Sequence, residues 1–239
     1  MPKRSVADIR DFWPPARVLE IARAAYSEEF ISDDVRLEHS ALVPAHYLPG
    51  FRIGEALSLT KSQFRWQTSL EGELFLVIEQ VKVEKSGGKF RSYPILPGDP
   101  LARPLLSHLA QVEDDLDFVF TVSQKTVRNI LDRVTKGEVW PHWFREQRNT
   151  FLATAFTRDE RNRIFAWSGN VDFNKAHPKR RRRSMADHYD SMNWMSFADR
   201  LSKLTRSYWL HASVPHETQS WLDSLPPSLK APDVPSAAP

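Results

Sequence analysis

Around Gln63 the chain changes its repeat, and that change decides what it can fold into. Upstream, Val18, Ile21, Ala22 and Ala25 recur at helical spacing behind Pro14 and Pro15, which a first helical turn tolerates. From Gln63 the segments FRWQTSL and LFLVIEQVKV are dense in β-branched and aromatic residues, and Ser86-Gly87-Gly88 marks a turn before KFRSYPIL. This block predicts one small antiparallel sheet with a hairpin. The flanks predict helices over Pro15 to Glu29 and Asp33 to Tyr47, with a short one opening at Arg52 after the Pro49-Gly50 break. Further helices are expected over Pro100 to Val112, Ser123 to Lys136, His142 to Thr157 and Arg158 to Trp167, with a short extended piece at Asp117 to Phe120. The predicted class is mainly α with a small antiparallel β-sheet on one edge (α+β).

Near the end, Phe197, Leu201, Leu204 and Tyr208 define an amphipathic helix that packs either in its own domain or on a neighbour. The closing LPPSLKAPDVPSAAP is poor in large apolar groups, so a disordered tail is expected over 226–239, beyond a single domain over 1–225. No internal repeat is present.

Composition narrows the function. The 239 residues are 41% hydrophobic and 26% charged, the balance of an ordinary globular chain. With no cysteine, disulfides and thiolate chemistry are excluded, and a metal would need His and carboxylates. No run approaches the roughly 18 apolar residues of a membrane span, and the start is not a signal peptide, so an intracellular protein is expected. The net charge is only +3, but KAHPKRRRR (175–183) gathers six Lys and Arg without an acid, while Glu113, Asp114, Asp115 and Asp117 lie together elsewhere. Positive charge is local, which permits a polyanionic partner.

Four segments carry candidate chemistry. LPGFRIGEALSLTKSQF (48–64) holds Arg52 and Glu55; VKVEKSGGKFRSYPIL (81–96) holds Lys85 at a hairpin turn, then Lys89 and Arg91; PHWFREQRNTFLATAF (141–156) holds His142 and Arg145 one helical turn apart; RIFAWSGN followed by SMADHYDSM holds Trp167 and Tyr189. In this order they resemble the tyrosine recombinase (phage integrase) family over roughly residues 45 to 195. The first is similar to its Gly-x-Arg-x-x-Glu box and the third to its His-x-x-Arg box. Archaeal members are especially similar at Trp143-Phe144, and Glu146 stands where many relatives carry a second histidine. Only 51 residues precede Arg52, so the N-terminal DNA-clamping domain of most relatives is not matched, and the chain is expected to be either minimal or a fragment.

The resemblance implies a site-specific recombinase or integrase acting on double-stranded DNA as a homo-tetramer, without membrane, metal or cofactor. A viral or other mobile element, with an archaeal host, is the implied setting. Arg52 and Arg145 would stabilise charge on the nonbridging phosphate oxygens, aided by His142 and the indole N–H of Trp167. Tyr189 would attack phosphorus to give a 3′-phosphotyrosine, with Tyr208 and Tyr93 as other candidate nucleophiles. Lys85 would protonate the leaving 5′-oxygen, with Lys82 and Lys89 as alternatives, and His177 competes with Trp167. Lys89, Arg91, Arg148 and Arg180, Arg181, Arg182 and Arg183 would follow the DNA backbone. The rival reading is a DNA-binding protein that keeps the fold without recombining. A third is a strand-joining enzyme acting on chromosome dimers or telomere ends.

Overall fold

The structure, a computed structural model, describes residues 12–27, 32–83, 89–165 and 194–232. Its first helix, α1 (Pro15–Tyr26), begins on a buried proline at N1 and buries Val18, Leu19, Ile21, Ala22 and Ala25. All but Leu19 fall at i, i+3, i+4 and i+7, the stripe that a core-facing helix needs. It lies on α2 (Asp33–Tyr47), whose second half is buried on every side. Glu38, although in this enclosed helix, accepts hydrogen bonds from Thr121 N (2.5 Å) and Val122 N (3.3 Å). Its carboxylate thereby ties the 113–122 loop to α2. The short α3 (Ile53–Leu57) follows a tight turn at Gly50.

The expected sheet is present as β1 (Phe64–Thr68), β2 (Leu74–Val83) and β3 (Lys89–Ile95), antiparallel in the order β1-β2-β3. The run LFLVI in β2 does not alternate with polar residues because both of its faces are covered. Leu76 and Ile78 join the main core, while Phe75 and Val77 form a second cluster with Leu96 and Ala198. The register shifts by a bulge between Ile78 and Val81, near the hairpin end.

The second half is helical, with shorter pieces than the periodicity predicts. α4 spans Ala102–Leu109, α5 Gln124–Thr135, α6 Pro141–Leu152 and α7 Arg158–Ile164. α5 starts on Ser123, whose side chain accepts from Thr126 N, and stops at Lys136 in a left-handed conformation (φ 52°). The expected helix through Thr157 instead ends at Leu152. α7 restarts behind a capping box in which Glu160 Oε2 accepts from Thr157 N (2.7 Å) and Thr157 Oγ1 accepts from Glu160 N (3.3 Å). The extended piece around Phe118 is a single bridge to Thr60.

α8 (Trp194–His211) resolves the choice left by its amphipathic pattern, since it packs on its own sheet. Phe197 meets Tyr93 edge-on at 5.6 Å between ring centroids, and Trp194 meets Phe75 at 6.3 Å. Arg200, Lys203 and Arg206 each pair with an acid of the body, Glu160, Glu71 and Glu73 respectively. α9 (His216–Ser224), which the periodicity did not flag, buries Trp221 and Leu222 beside α1. The residues after Leu225 continue onto the body. Ser107 Oγ donates to Pro226 O at 2.8 Å and Leu229 N to Leu106 O at 2.9 Å, so the chain runs along α4 well past Leu225.

Candidate active site

The first box gains its shape from one glycine. Gly50 has φ +61°, and a Cβ placed on it would lie 2.1 Å from the Phe165 ring, so both backbone and space exclude a side chain. The turn is closed by Gly50 N donating to Tyr47 O (3.1 Å) and Phe51 N to His46 O (3.1 Å), and Phe51 is buried. The chain then enters α3 with Arg52 as N-cap. Glu55 at N3 accepts from Arg52 N at 2.9 Å and from Arg52 Nη1 at 2.8 Å. One carboxylate thus caps the helix and orients the guanidinium.

Arg145 reaches the same carboxylate from α6. Its Nη1 lies 4.0 Å from Glu55 Oε2 and donates to Gly50 O at 2.5 Å, while Nη2 donates to Phe165 O. The guanidinium also sits over the Phe165 ring, 5.1 Å from its centroid. Two arginines from opposite halves of the chain therefore share one acid, and the trio carries a net positive charge. The two are not equivalent. Arg52 keeps 29% of its side chain exposed, whereas Arg145 is enclosed at 1%.

His142, one turn before Arg145, is the outermost of the set, with 58% of its side chain exposed and Nε2 3.3 Å from Glu146 Oε1. Helical spacing predicts that His142 and Arg145 address one phosphate together. In the structure one opens to solvent and the other turns inward to the Gly50 carbonyl, because Arg145 is drawn into the α3 turn. Beneath them His46 is fully buried and stacked on Phe144 at 6.2 Å. Burial lowers its pKa to about 4, partly offset by the Phe51 backbone and by Glu55, so the ring is neutral at physiological pH.

Arg148 is corrected. It was expected on the DNA backbone, yet only 2% of it is exposed. Its Nη2 donates to Tyr93 Oη at 3.0 Å, and its guanidinium lies 5.3 Å from the Tyr47 ring and 5.2 Å from Phe151. Burial opposes its charge, and Tyr93, Tyr47 and, least, Asp99 offset that, while burial raises the pKa of Asp99 itself. A charged group in the core is retained only when so compensated, and its place one turn beyond Arg145 on the inner side of α6 excludes phosphate contact. The alternative nucleophiles are also occupied: Tyr93 in this network, and Tyr208 through its hydroxyl accepting from Ala16 N at 3.0 Å.

Lys89 and Arg91 stand on β3 opposite Val83 and Val81, and Lys82 on β2 opposite Phe90. Lys85, Trp167, His177, Arg180, Arg181, Arg182, Arg183 and Tyr189 lie outside the described residues. Among the described residues no group of three or more His, Asp or Glu is placed to hold a metal, and no helix is long and apolar enough to cross a membrane.

One feature escaped the motif reading. α5 buries Val127, Ile130 and Leu131 and exposes Lys125, Arg128, Arg133 and Lys136, with Asp132 the acid among them. Its first residue adjoins α3, since a Cβ on Gly54 would lie 3.8 Å from Gln124 Nε2. The signal was available as basic residues on the polar side of an amphipathic pattern, but dispersed at helical spacing rather than run together.

No protein-family model matches the chain, and no curated protein sequence does so. Among solved structures it is similar to a tyrosine recombinase, the FLP recombinase in a complex with a Holliday junction. The TM-score is 0.50 at 11% identity, over 79% of this chain and 52% of that one, so this chain matches about half of that chain's length. The mainly helical body with its three-stranded antiparallel sheet therefore shares its fold with part of a tyrosine recombinase.

Proposed function

We propose that this protein is a DNA strand transferase of the tyrosine recombinase kind, cleaving and rejoining double-stranded DNA through a phosphotyrosine intermediate. The observation that carries the reading is the convergence of Arg52 and Arg145 on Glu55. Transesterification places extra charge on nonbridging phosphate oxygens, and fixed guanidinium forks stabilise that charge without reorganising. Arg52 supplies the exposed fork, Arg145 the buried one behind it, and His142 a ring at the rim.

In this reading Tyr189 forms the bond to phosphorus and the 5′-oxygen leaves with a proton from Lys85, while Trp167 adds an indole donor. Because the covalent link conserves the broken bond, the step needs no nucleotide hydrolysis. The exposed cations of α5, with Lys89, Arg91 and Arg180 to Arg183, follow the duplex backbone. Paired strand exchange through a Holliday junction in a homo-tetramer is the corresponding assembly, and a virus or other mobile element its setting.

One observation favours a second reading. Arg145 donates to two main-chain carbonyls and is enclosed, as suits an arginine kept for structure in a DNA-binding module that no longer cuts. A pool of nicked duplexes of randomised sequence, with a sulfur-bridged scissile phosphate that blocks religation, separates the two. Wild type is expected to form an adduct that survives denaturation, Tyr189→Phe none, and Arg52→Ala about 10²-fold or more less. DNA binding without any adduct selects the silent module, and an adduct formed equally by Tyr189→Phe removes Tyr189 as nucleophile.

A further inference from the structure

We propose that Arg148 is a positioning residue that fixes the rotation of α6 about its own axis and so delivers Arg145 to the α3 turn. α6 buries seven of its twelve residues. A helix that rests on the core by one apolar stripe is oriented by that stripe, and a helix enclosed over most of its surface is not. Apolar burial therefore places α6 inside the body, and polar partners decide which way it is turned.

Arg148 has partners on two sides that do not turn with α6. Its Nη2 donates to Tyr93 Oη at 3.0 Å, and Tyr93 belongs to β3, where its ring meets Phe197 of α8 edge-on. A guanidinium is a planar fork, so a bond of this kind fixes direction as well as distance. Its other side lies 5.3 Å from the centroid of the Tyr47 ring, within cation–π range. Tyr47 O in turn accepts from Gly50 N at 3.1 Å, closing the turn whose own carbonyl, Gly50 O, accepts from Arg145 Nη1 at 2.5 Å. Arg148 and Arg145 thus hold the two ends of the stretch from Tyr47 to Gly50. They do so from positions one helical turn apart, about 4.5 Å along α6.

Stability does not account for a cation at this place. Apolar groups of similar shape in place of both Arg148 and its hydroxyl partner would cost the fold little. What a buried charge with a directed acceptor adds is the choice of one register among packings of similar energy. The consequence for chemistry rests on the strand-transfer reading above. A guanidinium that has moved by about 1 Å from the oxygens it serves loses much of its effect on the rate. Arg148 touches no phosphate itself and acts through Arg145.

The test reads Arg145 directly, in the DNA-free full chain with nitrogen-labelled arginine side chains and Arg145→Lys for assignment. The Arg145 guanidinium lies 5.1 Å from the Phe165 ring centroid, so the ring current is expected to set its N–H signals apart from those of exposed arginines. In Arg148→Met these signals are expected to move at least halfway back, whereas a loss of stability alone leaves the shifts of the folded molecule in place. Tyr93→Phe keeps the cation and removes only its acceptor. It is expected to move the same signals in the same direction, and it serves where Arg148→Met fails to fold. Arg148→Lys should recover part of the wild-type position, since its ammonium can still donate to Tyr93 Oη. With the sulfur-bridged nicked duplexes at saturation, adduct formation by Arg148→Met is expected to be about 10-fold or more slower at unchanged DNA affinity. Arg145 signals that stay in place in Arg148→Met and Tyr93→Phe overturn the proposal whatever the melting temperatures, and so does an unslowed Arg148→Met. Moved signals beside a wild type that forms no adduct with any duplex support the positioning role and overturn the strand-transfer reading instead.

Discussion

At Gly50 a single hydrogen in place of a side chain holds the α3 turn, the Phe165 ring and the Arg145 guanidinium in register. Gly50→Ala combines a left-handed backbone with a steric overlap, and it is expected to destabilise the protein by about 2–3 kcal/mol. The denaturant midpoint should drop with an unchanged slope. His46 sets a pH dependence whose sign follows from its depressed pKa. Between the ordinary histidine value of 6.5 and about 4, the unfolded chain binds more protons than the folded one. Stability is therefore complete above pH 6.5 and declines as pH falls toward 4, by about 3 kcal/mol in total. Unfolding across that range should show the decline in wild type and a flatter curve in His46→Phe, which cannot titrate.

At the scale of elements, α5 and α6 carry basic residues with opposite fates, and salt dependence of DNA binding tells them apart. Lys125→Gln and Arg128→Gln on the exposed side of α5 are each expected to lower the slope of log affinity against log salt by about one. Arg148→Met should leave that slope unchanged while lowering stability by about 1–3 kcal/mol, because the Tyr93 hydroxyl then loses its Arg148 donor. The three cations of α8 tie the helix to the hairpin between β1 and β2 and to α7. Exposed pairs of this kind contribute a few tenths of a kcal/mol each, so burial of Phe197, Ala198 and Leu201 is what fixes α8.

Across the whole molecule, Pro226 and Leu229 bind the backbone and side chains of α4. Truncation after Leu225 removes the Pro226 and Leu229 hydrogen bonds and the Leu229 contact with the core. It is expected to lower stability by about 1–2 kcal/mol, read as a fall in Tm of several degrees. The element order was legible in the sequence because period and capping are local: proline at the start of α1, Ser123 before α5, glycine at the α3 turn, an uninterrupted apolar run in β2.

What the sequence could not determine depends on contacts between distant residues. Arg145 and Arg148 lie on adjacent positions of one helical face, and nothing local distinguishes the arginine that reaches Glu55 from the one sealed against Tyr47, Tyr93 and Phe151. The ends of α4 and α6, the docking of α8 on its own sheet and the burial of α9 were likewise settled by packing, where tertiary contacts outweigh propensities of a few tenths of a kcal/mol per residue. Sequence determined the helices, the sheet and the candidate groups. Tertiary structure alone decided which cations meet one carboxylate, because a long-range ion pair exists only once the hydrophobic core has brought its two chain segments together.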